Sequence, residues 1–450
     1  MGFRDFITSR LFRRRITDEW ERYQNIKPPA NPSRRYIDDL VQRLLDAQTA
    51  WAARKELSLM GAPAVEALTT ALNDPRFQTA ESSDYRVPAP LQVILELLAP
   101  HAPEQVMSAT ALLLNSPDVK IRKTAAMQLA GLGRAASVPT LSKLLDDSDG
   151  SVRTYVRMGV DIALAEDRCE EGFRKGMYDA FLAQCGQRWP DCRNDSPRTV
   201  VALDPQRAAV DFASERWLST KNPIAHDILE ACNNARIRLP EHLIRELLNH
   251  SLPLVVGERR HLHEYMVAVA LQALARCLGE EARPVLDEQI DSKQSLIQEA
   301  ASKGLAIVAG LENPVGFVLE RAEQVGFEGL TAPQRVVYCA YLFDAEVRNG
   351  GISQFFGNSS GRYAGETLEA LRVLNHAEAY DALNSAIQLL GPKSKHPNRD
   401  KRLSAFDGRY DELQSRFDLL ETAFYSAPPL TCRMLLYAVA NSQHFHKSPN

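Results

Sequence analysis

IRKTAAMQLAGLGRAASVPTLSKLLDDSDGSVRTYVR, residues 121–157, contains its own copy. Ile121-Arg122 followed by Ala125-Ala126 returns as Val152-Arg153 followed by Val156-Arg157, a period of 31 residues. Within one period Ala125, Ala126, Leu129 and Leu132 fall on one helical stripe. Gly133 ends that helix, and Val138, Leu141, Leu144 and Leu145 stripe a second one. Asp146, Asp147 and Asp149 then offer side-chain acceptors for a turn and for the N-cap of the next unit. A helix pair of this length cannot bury its apolar stripe alone, so the period predicts neighbouring pairs stacked into a solenoid with one continuous core.

The same grammar governs WAARKELSLMGAPAVEALTTALNDPRF from Trp51, with Leu57, Gly61, Val65, Leu68, Leu72 and Asp74 in corresponding places. It returns less regularly in YMVAVALQALARCLGEEARPVLDEQI and LIQEAASKGLAIVAGLENPVGFVLE. These segments resemble HEAT-like repeats over about residues 40–320. That resemblance implies a right-handed solenoid whose Leu, Ala and Val serve core packing. Between Asp167 and Leu239 the pattern is interrupted by Trp189-Pro190, Ser196-Pro197 and Asp204-Pro205, which predict loops between short helices.

Composition narrows the function classes. The 450 residues are 45% hydrophobic and 24% charged, with no apolar run of the length needed to span a bilayer. Seven cysteines without a Cys-x-x-Cys pair fit reduced core thiols, and with them a cytoplasmic location. Residues 31–321 carry 33 basic and 39 acidic side chains, residues 322–450 carry 13 and 14, so a phosphate-backbone binder is not expected. Residues 1–30 pair Phe3, Phe6, Ile7, Leu11 and Phe12 with Arg4, Arg10 and Arg13 to Arg15, predicting an amphipathic helix rather than a secretory signal. Arg34-Arg35 and Arg259-Arg260 read as solvated basic pairs. The metal-like cluster His261, His263 and Glu264 is a single pair without a repeat, and His444 and His446 lie in a tail. No nucleophile elbow, phosphate loop or dinucleotide fingerprint occurs, so neither a catalytic residue nor a cofactor or metal is expected.

The last third is different in kind. Thr331, three residues before Gln334, makes a capping box, and Val336, Val337, Ala340, Tyr341, Asp344 and Val347 continue at helical spacing. Gly350-Gly351 stops this helix. Ile352, Phe355 and Phe356 make a turn too short to persist unless its aromatics anchor in neighbouring helices. Asn358, Ser359 and Ser360 are read as Asx- and Ser-type turns capping a helix through Thr367, Leu368, Leu371 and Leu374.

NGG-x-x-QFF-x-NSSG at residues 349–361, with LEAL following and LLYAVANSQHF near the end, resembles the DNA-mimic protein family over about residues 325–446. The resemblance implies an all-helical, non-enzymatic domain, in a family that includes a dimeric protein imitating the charge pattern of DNA and sequestering a transcription factor. Matched residue by residue, Gly350, Gly351, Phe355, Phe356, Ser359 and Gly361 are assigned to the fold, and Asn349, Gln354 and Asn358 to partner contact. Two departures stand out: Ile352 replaces the usual aromatic, and Lys393, Lys395, Arg399, Lys401 and Arg402 form a basic run where a mimic wants carboxylates. The expected organisation is an all-α chain with an N-terminal helix at 1–30, a HEAT-like α-solenoid at 35–320, and a compact helical DNA-mimic-type domain at 325–446. The expected role is a non-enzymatic scaffold or regulator that binds a protein partner. A partial DNA mimic acting on a DNA-binding protein, homodimeric through the C-terminal domain, ranks second, and a nucleic-acid-binding solenoid third.

Overall fold

The computed structural model describes residues 26–80, 88–187, 195–255 and 260–446. The arginine-rich start, Trp189-Pro190, Cys192 and the Arg259-Arg260 pair fall wholly or partly outside those residues. Among the described residues the chain is all-α, with no strand. It divides into two compact units, residues 1–211 and 212–450.

The first unit runs α1 (Arg34–Gln42), α2 (Ala50–Met60), α3 (Val65–Leu72), α4 (Pro75–Thr79), α5 (Pro90–Leu98), α6 (Pro103–Leu113), α7 (Val119–Gly131), α8 (Val138–Leu144), α9 (Gly150–Ala165), α10 (Glu171–Gln184), α11 (Ser196–Leu203) and α12 (Pro205–Asp211). The 31-residue period is visible atom by atom. Asp118 caps α7 by accepting from Lys120 N at 2.8 Å, and Asp149 caps α9 by accepting from Ser151 N at 2.8 Å. Ala125, Ala126 and Leu129 of the first stripe and Leu141 and Leu145 of the second are buried. Gly133 has φ +66°, and a Cβ there would lie 2.6 Å from Arg168 O. Adjacent repeats are tied loop to loop: Glu170 accepts from Ala135 N at 2.7 Å and pairs with Arg134 at 2.8 Å. Asp147 pairs with Arg122 at 3.4 Å while accepting from Asp149 N at 2.9 Å. Helices α7 and α9 approach closely because position 159 is glycine; a Cβ there would lie 2.3 Å from Met127 O.

The second unit continues with α13 (Ala225–Asn234), α14 (Glu241–Ser251), α15 (Arg260–Leu278), α16 (Arg283–Asp287), α17 (Ser295–Val308), α18 (Pro314–Val325), α19 (Ala332–Gly357), α20 (Ala364–Val373), α21 (Ala377–Leu390), α22 (Arg399–Leu403), α23 (Tyr410–Ser426) and α24 (Leu430–Ala440). Gly279 and Gly310 take positive φ where α15 and α17 end, so the helix-glycine-helix grammar persists. Packing is continuous through residue 325. Ala306, Leu311, Val315 and Val318 share one core with Phe343, Phe355, Leu371, Phe417 and Met434, and α24 lies against α17. A helix pair that ends an array needs a partner for its last apolar face, and here the C-terminal helices supply it.

Candidate functional site

The NGG-x-x-QFF-x-NSSG segment is built around a break in α19. Gly350 has φ −164° and ψ 24°, and Gly351 has φ +82° and ψ 178°, so the helix stops and restarts within two residues. The restart has a remote cap. Glu421, on α23, accepts from Ile352 N at 2.6 Å, placing a carboxylate where the new helix exposes its first N–H groups. Glycine is required at 351 twice over: by its left-handed φ, and because a Cβ would lie 2.5 Å from Glu421 Oε1.

Downstream, Ile352, Phe355 and Phe356 are fully buried. Phe355 meets Phe343 edge-on at 5.2 Å and Phe356 at 5.3 Å, and Phe343 in turn meets Phe424 at 5.7 Å. The two phenylalanines pin the short restarted helix, as their spacing predicted.

The polar residues of the motif converge on an acid outside it. Glu346 accepts from Gln354 Nε2 at 2.7 Å, Asn358 Nδ2 at 2.8 Å and Ser360 Oγ at 2.6 Å. The Asx- and Ser-type capping expected of Asn358 and Ser360 is therefore corrected. The turn Ser359–Tyr363 has no side-chain cap, because donating to Glu346 fixes the Asn358 amide and the Ser360 hydroxyl on that carboxylate instead of on the main-chain N–H groups from which a capping oxygen accepts. Ser359 and Asn349 are exposed. Of the three amides assigned to partner contact, Gln354 and Asn358 share Glu346 and Asn349 is exposed.

Arg402 closes the loop from below. It is 1% exposed, and its guanidinium donates to four carbonyls: Phe356 at 3.0 Å, Asn358 at 2.6 Å, His396 at 2.8 Å and Pro397 at 3.0 Å. Burial, aided by the charges of Arg399 and Arg362, holds its pKa below the ordinary arginine value. A Cβ on Gly361 would lie 2.7 Å from Phe355 O and 2.9 Å from Arg402 Nε, which explains that glycine. Arg402 is thus removed from the surface basic run in which its sequence position places it, because its donors are spent on main chain.

The capping box at the head of α19 is present, with Thr331 N donating to Gln334 Oε1 at 3.0 Å. Gln334 Nε2 also donates to His444 O at 2.6 Å, fastening the closing segment. His376 caps α21: Nδ1 accepts from Ala379 N at 3.2 Å, so Nε2 carries the proton and donates to Pro428 O at 2.8 Å. Exposed carboxylates collect on the packed pair α21 and α23, as Glu378, Asp381, Asp411 and Asp418. Elsewhere, His261 meets Glu264 at 3.4 Å, and the His263 ring faces His250 at 6.4 Å. Among the described residues no three metal-ligating side chains gather, and no helix is long and apolar enough to cross a membrane.

Glu346, Glu421 and Arg402 were missed in the sequence. Arg402 was visible only as charge; Glu346 is three residues before the motif but has no periodic signature, and Glu421 is 69 residues from the N–H it caps.

No curated protein matches the chain. Two segments are nonetheless similar to known families: residues 106–164 match the model for HEAT repeats, and residues 328–441, which hold the glycine break and its three remote supports, match the model of the DMP19-like proteins.

Proposed function

We propose that this chain is a non-enzymatic interaction protein that holds a protein partner. The observation that carries the reading is the pairing of HEAT-like repeats with a DMP19-like segment in one chain, two helical modules that present surfaces. In this reading the HEAT-like repeats of 35–320 supply surface and the 325–446 segment supplies the motif loop. Asn349 offers its amide directly, and Gln354 and Asn358 act through Glu346 by fixing the loop that a partner meets. Reduced thiols agree with work in a cytoplasmic, reducing compartment: Cys232, Cys339 and Cys432 are buried and unbridged.

A second reading, regulation of a DNA-binding protein by partial mimicry, is favoured by the exposed carboxylates of α21 and α23, and a homodimer through the C-terminal segment belongs to it. Affinity purification of the full chain from its native host, with protein and nucleic acid both quantified, tests the first reading. A stoichiometric protein partner that Asn349→Asp weakens supports it. Recovery of nucleic acid without protein overturns it, and recovery of a DNA-binding protein displaced by duplex DNA favours mimicry.

A further inference from the structure

Charge pairing in the C-terminal segment is uneven. Arg335, Arg348, Arg372, Arg409 and Arg416 each stand beside a carboxylate. Arg362, Lys393, Lys395, Arg399 and Lys401 are all exposed, and among the described residues none of the five has a carboxylate at ion-pair distance. They come from three elements packed together: the 3-10 turns Ser359–Tyr363 and Pro392–Lys395, and α22. Arg399 and Arg402 bind this patch to the motif loop by donating to Gly357 O and to Phe356 O and Asn358 O. Among the acids on or beside these elements are Asp400 on α22 and Glu366 in the first turn of α20, while Glu369 of α20 is paired with Arg372. The nearby Glu346 carboxylate is occupied by three donors.

We propose that this basic patch seats an acidic segment of a protein partner, a run of aspartate and glutamate side chains that pairs with Lys393, Lys395, Lys401, Arg399 and Arg362. Unpaired cations held on a rigid loop raise the local anion concentration and steer encounter. A nucleic acid fits less well for two reasons. Its charge continues past the patch into a chain with 57 acidic against 53 basic residues. The aromatic at the patch, Tyr363, is buried under Arg362 and offers no stacking face. This proposal rests on the interaction reading and names the chemistry of the partner.

The test uses the full chain and a fluorescein-labelled oligoglutamate of about ten residues, followed by fluorescence anisotropy at low and moderate salt. A variant carrying Lys393→Glu, Lys395→Glu and Lys401→Glu leaves every bond of Arg399 and Arg402 in place, and circular dichroism checks its fold. Saturable binding that weakens at least about tenfold in the variant, and about as much in salt, supports the proposal. No binding up to millimolar peptide overturns it, as does equal affinity in the variant or tighter binding of a single-stranded oligonucleotide of the same charge. A host protein retained equally by both forms overturns the patch while leaving the interaction reading in place.

Discussion

Two adjacent glycines offer a sharp test of how the break in α19 is built. At Gly351 an alanine must take φ +82° with ψ 178°, a region essentially reserved for glycine that costs about 1–3 kcal/mol. Its Cβ also displaces Glu421 from Ile352 N, and losing a helix N-cap costs about 1 kcal/mol. The expected loss for Gly351→Ala is therefore about 2–4 kcal/mol, a large part of the roughly 5–15 kcal/mol that holds a typical domain together. Gly350 differs in both respects. Its φ of −164° lies outside the left-handed region, and the atom its Cβ meets, Gln354 Oε1 at 2.0 Å, ends a flexible side chain. Gly350→Ala should cost about 1 kcal/mol, chiefly the Gln354 hydrogen bond to Glu346. Urea unfolding, read at the transition that melts the second unit and with slopes compared, measures both. Equal losses, or a loss below about 1 kcal/mol for Gly351→Ala, would refute the argument that Glu421 and a left-handed residue jointly set the break.

Other substitutions test other links. Gly159→Ala should destabilise the first unit by about 1–3 kcal/mol, because Met127 O is backbone and cannot give way, whereas Gly186→Ala, with nothing near its Cβ, should be close to neutral; thermal melts of both decide. Burial raises the Asp344 pKa against the opposing charge of Arg348, so its ionised form weighs against folding as pH rises from the unfolded carboxylate value through the folded one. Arg348→Ala raises that pKa further, and its destabilisation should be larger at pH 7 than in mild acid; a deficit that grows on acidification would contradict the sign. Burial pushes the thiols of Cys232 and Cys339 up to about 12 and Cys432 to about 11, so native-state alkylation followed by mass spectrometry should mark Cys169 and Cys277 long before these three. Labelling of Cys232 at the rate of Cys277 would count against the described packing. Glu346→Ala should speed amide exchange across Asn358–Gly361 while leaving α21 protected, since three side-chain bonds to that carboxylate hold the loop.

Much of this was legible from local pattern. The stripes of Ala125, Leu129 and Leu141, the caps Asp118 and Asp149, and the turn at Gly133 follow from periodicity and dihedral preference within a few residues of each other. So did the helix break at Gly350-Gly351 and the anchoring role of Phe355 and Phe356, since glycines and paired aromatics state their needs wherever they stand. The supports of the motif loop were not legible. Glu421 reaches Ile352 across 69 residues, Arg402 reaches Phe356 across 46, and neither position differs in kind from the solvated charges around it.

The sequence by itself determined an all-helical chain with a repeat, its helix ends and its apolar faces, because hydrophobic spacing and backbone preference act over one or two turns. Only the tertiary structure decided which charges were spent inside the molecule and which were left facing solvent. Arg402 and Lys401 are neighbours in the chain, yet one is buried on four carbonyls and the other faces water. The physical reason is that a charge has no fixed role of its own: desolvation and the donors or acceptors brought to it by distant segments assign one, and folding alone brings them together.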